Sequence, residues 1–112
     1  MSDRLASGLL VNALIRRVQA EGGFATVLAK GDETAGALLV IATYRGGRQG
    51  AFEPGRDVVG NRILIPVGPD SGNIGEVTAY WTRRRVHDPD LWVVELDVAG
   101  AERLAAETLD LG

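Results

Sequence analysis

Cysteine is absent from this 112-residue chain, histidine, lysine and methionine each occur once, and only 5% of the residues are aromatic. Without a thiol there is no disulfide framework, no thiolate nucleophile and no cysteine zinc site. A reducing compartment is therefore allowed, and a cytoplasmic setting is the expectation. The lone histidine, His87, excludes a two-histidine metal site. An excess of positive charge is missing too: 12 basic against 15 acidic side chains leave a net charge of −3, so no general field draws nucleic acid to the molecule. The longest unbroken apolar run, 37–42, is far short of a membrane span. The opening residues, with Asp3 beside Arg4, do not resemble an export signal, and no membrane contact is expected. No Gly-x-x-x-x-Gly-Lys-Ser/Thr string occurs, and Lys30 precedes its glycine rather than following one, which disfavours a phosphate-cradling loop.

What is present is the composition of one soluble domain spanning 1–112, with 46% hydrophobic and 24% charged residues and no repeat, linker or low-complexity tract to divide it. A chain of this size can hold its fold with its own core. Residues 3–21 lack proline and end at Gly22-Gly23, which predicts a helix. Its apolar residues, among them Leu9, Leu10, Val11, Leu14, Ile15 and Val18, spread over an arc of about 240°, wider than one core-facing stripe. Two covers are therefore expected: a sheet on one side, and on the other either a second helix or a second copy of the protein. Those six residues are the candidate interface. Arg17, inside the arc, is read as a packing residue that reaches water at the helix end, with Glu21 one turn on.

Residues 24–30 and 37–45 are rich in β-forming side chains around a turn-like 31–36, and read as an antiparallel hairpin. Gly46-Gly47 suits a two-residue hairpin turn into a strand at 48–53, which Pro54-Gly55 should end. A further strand covers 61–66, with Val58 and Val59 as candidates for pairing at its edge. Residues 74–86 fit either period, but Asn73 with Glu76 resembles a capping box and Arg83, Arg84 and Arg85 suit a helix C-terminus, so a helix is predicted. After Asp88-Pro89-Asp90 the clearest strand, 91–98, places Trp92, Val94 and Leu96 on one face and Leu91, Val93, Glu95 and Asp97 on the other. A short helix follows at 100–109. The order α-β-β-β-β-α-β-α predicts an α+β fold with a mostly antiparallel sheet of four or five strands and helices mainly on one face. The last strand is open to a parallel pairing through a right-handed crossover.

Three constellations could carry chemistry. Asp88, Asp90, Glu95 and Asp97 form the densest acidic cluster, and hard divalent cations favour carboxylate oxygens; the simpler reading is a surface paired with Arg83, Arg84 and Arg85. The same arginines with Tyr80 and Trp81 could contact phosphates and stack on bases, but three adjacent helical residues point in three directions. His87 beside Asp88 would need a serine for nucleophilic catalysis, and Ser2, Ser7 and Ser71 lack the context of a nucleophile elbow; a surface or helix-end histidine is the favoured reading.

The strings Arg16-Arg17, Gly22-Gly23-Phe24-Ala25, Gly31-Asp32 with Ala35-Gly36, and above all Asp88-Pro89-Asp90-Leu91-Trp92-Val93-Val94-Glu95 resemble a family of small single-domain bacterial proteins known only as a domain of unknown function. That resemblance covers nearly the whole chain and implies no chemistry. The element order is also similar to restriction-endonuclease-like nucleases. Their acid-x-Lys is replaced here by Glu95-Leu96-Asp97 on the strand that follows Pro89-Asp90, without a lysine. A non-enzymatic interaction or structural module with no cofactor, acting through an apolar helix or sheet surface as a homo-oligomer or with another protein, is the leading expectation. A divalent-metal-dependent phosphodiesterase built on the four acids is the alternative.

Overall fold

Local signals place the elements. In the computed structural model, which describes residues 5–45 and 47–111, they run α1 (Ser7–Ala20), β1 (Phe24–Ala29), β2 (Leu38–Thr43), β3 (Gln49–Arg56), β4 (Arg62–Val67), α2 (Ile74–His87), β5 (Trp92–Asp97) and α3 (Ala101–Thr108). The segment with two readings is helical. The Asn73 side chain accepts from the Glu76 N–H at 3.0 Å, and Arg84, Arg85 and His87 occupy the last turn, where the helix dipole favours cations.

The strands form one sheet in the order β1-β5-β2-β3-β4. Three pairings are antiparallel and one, β2 with β5, is parallel. This corrects the expected hairpin: 24–30 and 37–45 do not pair, because β5 lies between them, with Phe24 opposite Asp97 and Leu38 opposite Trp92. The cause is burial. Leu91, Val93, Val94 and Leu96 are wholly inaccessible, and a strand apolar on both faces is stable only with neighbours on both edges and cover above and below. Its alternation is the predicted one. Trp92, Val94 and Leu96 pack with α1 and α3, whereas Leu91 and Val93 pack with Val77, Tyr80 and Trp81 of α2. Two helices thus lie on one face of the sheet and the third on the other.

Two further expectations are corrected. Pro54-Gly55 does not end β3, which runs on with Pro54 opposite Leu64. The last β2–β3 pair is Val40 with Phe52, so Pro54 lies past the end of that pairing, where its missing N–H interrupts no ladder bond. Val58 and Val59 join no strand pairing among the described residues; they sit exposed in the turn before β4. Asp57 organises that turn, accepting from the N–H groups of Val59 and Asn61 at 3.0 and 2.8 Å. The Asn61 N–H, foremost among these bonds, holds the Asp57 carboxyl below its ordinary pKa. Of the expected Gly46-Gly47 turn, Gly46 lies outside the described residues. The Tyr44 N–H donates to the Arg48 carbonyl at 3.3 Å, and Arg45 takes the left-handed conformation, φ 53°. No helix among the described residues is long and apolar enough to cross a membrane.

Candidate functional site

β5 carries the acids to two ends of the sheet. Asp90 precedes the strand and Glu95 lies five residues on, about 16 Å along an extended chain. Three of the four carboxylates have a local task. Asp88 accepts from the Asp90 N–H at 3.2 Å, and Asp97 accepts from the Arg45 N–H at 3.1 Å. Glu95 Oε2 accepts from Thr43 Oγ1 at 2.9 Å and from Gln49 Nε2 at 3.0 Å. Among the described residues, no group of three or more acids and histidines gathers in a way that could hold a metal ion. Sequence reasoning missed Thr43 and Gln49, which are buried and directly opposite across the β2–β3 hairpin. Their signal was two polar side chains placed symmetrically about the turn. Replacing Glu95 by alanine is expected to lower stability by about 1–2 kcal/mol, because Gln49 loses an acceptor in a buried setting. Glutamine should lose less, since its amide oxygen still accepts; equal shifts of the urea midpoint for both variants would contradict this role.

The arginine run does not meet those acids, contrary to expectation. Arg84 pairs with Glu53 at 3.0 Å and with the Tyr80 hydroxyl at 3.2 Å. Burial opposes its charge, but these partners outweigh burial and raise its pKa. Arg85 donates to the carbonyls of Leu91, Lys30 and Pro89 at 3.1, 3.1 and 2.7 Å. Arg83 is exposed, and Trp81 packs against the core of the α2 face, so the four side chains form no joint stacking platform. His87 is exposed at the end of α2. Ser7 is buried and donates to the Gly36 carbonyl at 2.6 Å, and Ser71 accepts from the Asn73 N–H. Ser2 lies outside the described residues.

The wide arc of α1 is filled from within the subunit. Val11, Leu14 and Val18 are 2%, 0% and 0% exposed, in one cluster with α3 and the sheet, and Leu10 and Ile15 pack against that cluster. The second cover is α3, tied by Arg17 to Glu107 at 2.9 Å. Val11, Leu14 and Val18 are therefore corrected from interface to core, and only Leu9 among the six is exposed.

A groove and a sheet edge are among the surfaces open to solvent. A groove of about 800 Å³ runs beside α3, lined by Ala42, Gly50, Phe52, Pro66, Val98 and Arg103 among others. The second is the β1 edge of the sheet. The Trp92 N–H donates to the Ala37 carbonyl at 2.8 Å, so residues 92, 94 and 96 turn their backbone groups to β2 and residues 93, 95 and 97 turn theirs to β1. With Thr26 opposite Glu95 and Phe24 opposite Asp97, the N–H and C=O groups of Ala25 and Val27 point outward. The strand carries neither charge nor proline, and Phe24, Val27 and Leu28 are 75%, 38% and 37% exposed.

Two of the distinctive strings of the sequence, Gly31-Asp32 with Ala35-Gly36 and the stretch 88–95, meet in space. The loop 31–36 clasps the loop before β5. The Asp32 N–H donates to the Asp90 carbonyl at 3.0 Å, and Trp92 Nε1 donates to the Asp32 carbonyl at 2.7 Å. The N–H groups of Ser7 and Gly8 donate to the carbonyls of Thr34 and Glu33 at 3.2 and 2.9 Å, fastening the start of α1 to the same loop. A family model described as a protein of unknown function (DUF1491) matches residues 5–106, this junction included. The chain belongs to the DUF1491 family. A crystal structure of a DUF1491 family protein from Caulobacter crescentus CB15 is 38% identical, with a TM-score of 0.77 over 90% of this chain and 94% of that one. An NMR structure of a DUF1491 family protein from the same organism is 38% identical, with a TM-score of 0.73 over 89% and 91%. The solution structure of Atu0922 from A. tumefaciens is 37% identical, with a TM-score of 0.66 over 85% and 86%. No curated protein matches. In this DUF1491 chain two of the strings behind the resemblance, Gly31-Asp32 with Ala35-Gly36 and the stretch 88–95, join α1, the 31–36 loop and β5.

Proposed function

We propose that the protein is a non-enzymatic interaction module of the cytoplasm that docks a protein partner by strand addition at β1. The observation that carries this reading is the outward pair of backbone groups on Ala25 and Val27, flanked by exposed Phe24, Val27 and Leu28 on a strand with no charge or proline. Sheet edges of natural proteins are ordinarily blunted by charge, proline, cover or a bulge; β1 has a bulge only after Val27, and its stretch 24–27, with none of these, is a template for another strand. The cysteine-free composition fits a reducing compartment. The four acids offer less support for phosphodiester chemistry, since the carboxylates of Asp88, Glu95 and Asp97 are engaged where they stand and the four divide between the two ends of β5. Amide hydrogen exchange tests the docking. In isotopically labelled protein placed in concentrated native cell extract, the Ala25 and Val27 amides should be slowed at least tenfold relative to the dilute purified chain. Equal exchange in both settings would end the reading.

A further inference from the structure

We infer that the docked strand is β1 of a second copy of the same chain, added antiparallel about a two-fold axis at Thr26. This inference rests on the docking reading above. It follows from the register available to the edge. Only Ala25 and Val27 present outward groups before the bulge that lies between Val27 and Ala29, so an added strand has two positions to bond. Self-addition satisfies both at once when Ala25 of one copy faces Val27 of the other. That centre gives four hydrogen bonds and sets Thr26 opposite Thr26 and Phe24 opposite Leu28. Apolar side chains that are exposed in the single chain thereby become cross-strand partners.

Charge selects the same arrangement. The uncharged strand is bracketed by exposed Glu21 before it and, after it, by exposed Lys30, which within the single chain pairs with exposed Glu33 at 3.2 Å. Because the strands run antiparallel, the Lys30 end of one β1 lies at the Glu21 end of the other, and the two-fold axis brings these opposite charges together twice. A parallel addition would set Lys30 against Lys30. The opposite edge of the sheet does not invite a strand. The backbone alternation carried across β2 and β3 turns the Pro66 nitrogen of β4 outward, where it has no N–H to offer, and Arg62 begins that strand with a charge. With one edge self-complementary and the other blocked, association closes at a dimer instead of growing into a fibre.

The test is light scattering coupled to size exclusion over a concentration series, joined to amide exchange. The native protein is expected to approach twice 11.9 kDa as concentration rises, with Ala25 and Val27 amides slowing in parallel. Ala25→Pro removes an outward N–H and leaves the β1–β5 bonds in place, so it should stay at the mass of one chain at every concentration. Should that variant fail to fold, charge reversal serves instead. Lys30→Glu should raise the dimer dissociation constant at least threefold, and the double variant Glu21→Lys with Lys30→Glu should return it toward the native value. A dimer indifferent to Ala25→Pro, or a charge swap that restores nothing, overturns the inference. Purified protein that stays at 11.9 kDa with fast Ala25 and Val27 amides also overturns it. If those amides are nevertheless slowed in cell extract, docking at β1 stands with a different partner; if they are fast there as well, both readings fall.

Discussion

Alanine at Gly36 is expected to lower the stability of the protein by about 3 kcal/mol, the sum of overpacking and lost buried hydrogen bonds. A Cβ on Gly36 would fall on the Asp90 carbonyl oxygen and lie 2.9 Å from both the N and the O of Asp32. All three are backbone atoms, so no side-chain rotation makes room. The loop cannot shift cheaply either. Ser7 Oγ holds the Gly36 carbonyl at 2.6 Å, the Asp32 N–H holds Asp90, and Trp92 Nε1 holds the Asp32 carbonyl. Against a typical total of about 5–15 kcal/mol for a domain, a loss of this size should move the urea midpoint far down, with the slope of the transition unchanged. Gly22 supplies the contrast. Its φ is +81° but nothing lies within 4 Å of where a Cβ would stand, so alanine there costs only about 1 kcal/mol of left-handed backbone. If the two variants unfold at the same urea concentration, the junction is looser than its bonds imply.

Leu14→Ala should lower stability by a similar amount, about 3 kcal/mol within the range of about 2–5 for fully buried leucines. Leu14 is 0% exposed and belongs to the cluster that joins α1, α3 and the sheet, three elements that cannot all close on the cavity left behind. Leu9, one and a half turns away and 58% exposed, should change stability by less than about 0.5 kcal/mol when cut to alanine. Thermal unfolding of the two variants side by side checks the assignment of the arc. A large effect at Leu9 together with a small one at Leu14 would mean that the apolar arc faces a partner and not α3. Neither variant should alter the dimer mass, because the proposed contact is on β1.

Local signals made the elements readable. The cap at Asn73, the glycine pair after α1, and the period-two alternation of residues 91–97 each describe interactions a few residues apart, and each survives in the structure. The width of the α1 arc correctly demanded two covers, yet nothing in the helix itself distinguishes α3 from a second subunit as the second one. Glu95 stood out as an acid, but Thr43 and Gln49 lie 52 and 46 residues away from it in the chain. A carboxylate's partners across a sheet have no spacing in the sequence to announce them. The same holds for Arg85, whose three carbonyl acceptors belong to two separate loops.

The order of helices and strands, the inward faces of β5 and the lack of thiol or paired-histidine chemistry were determined by the sequence alone, since propensity, periodicity and composition are properties of short stretches and of counts. Strand neighbours were decided only by tertiary structure. The turn-like 31–36 stretch is compatible with a hairpin, but pairing β1 directly with β2 would leave β5 at an edge with its buried side chains in water. Burial of β5 outweighs the shorter loop, drives it between them, and leaves β1 as an uncharged edge. The surface on which the proposed function depends thus arises from where another strand, some 70 residues further along, finds cover for both of its faces.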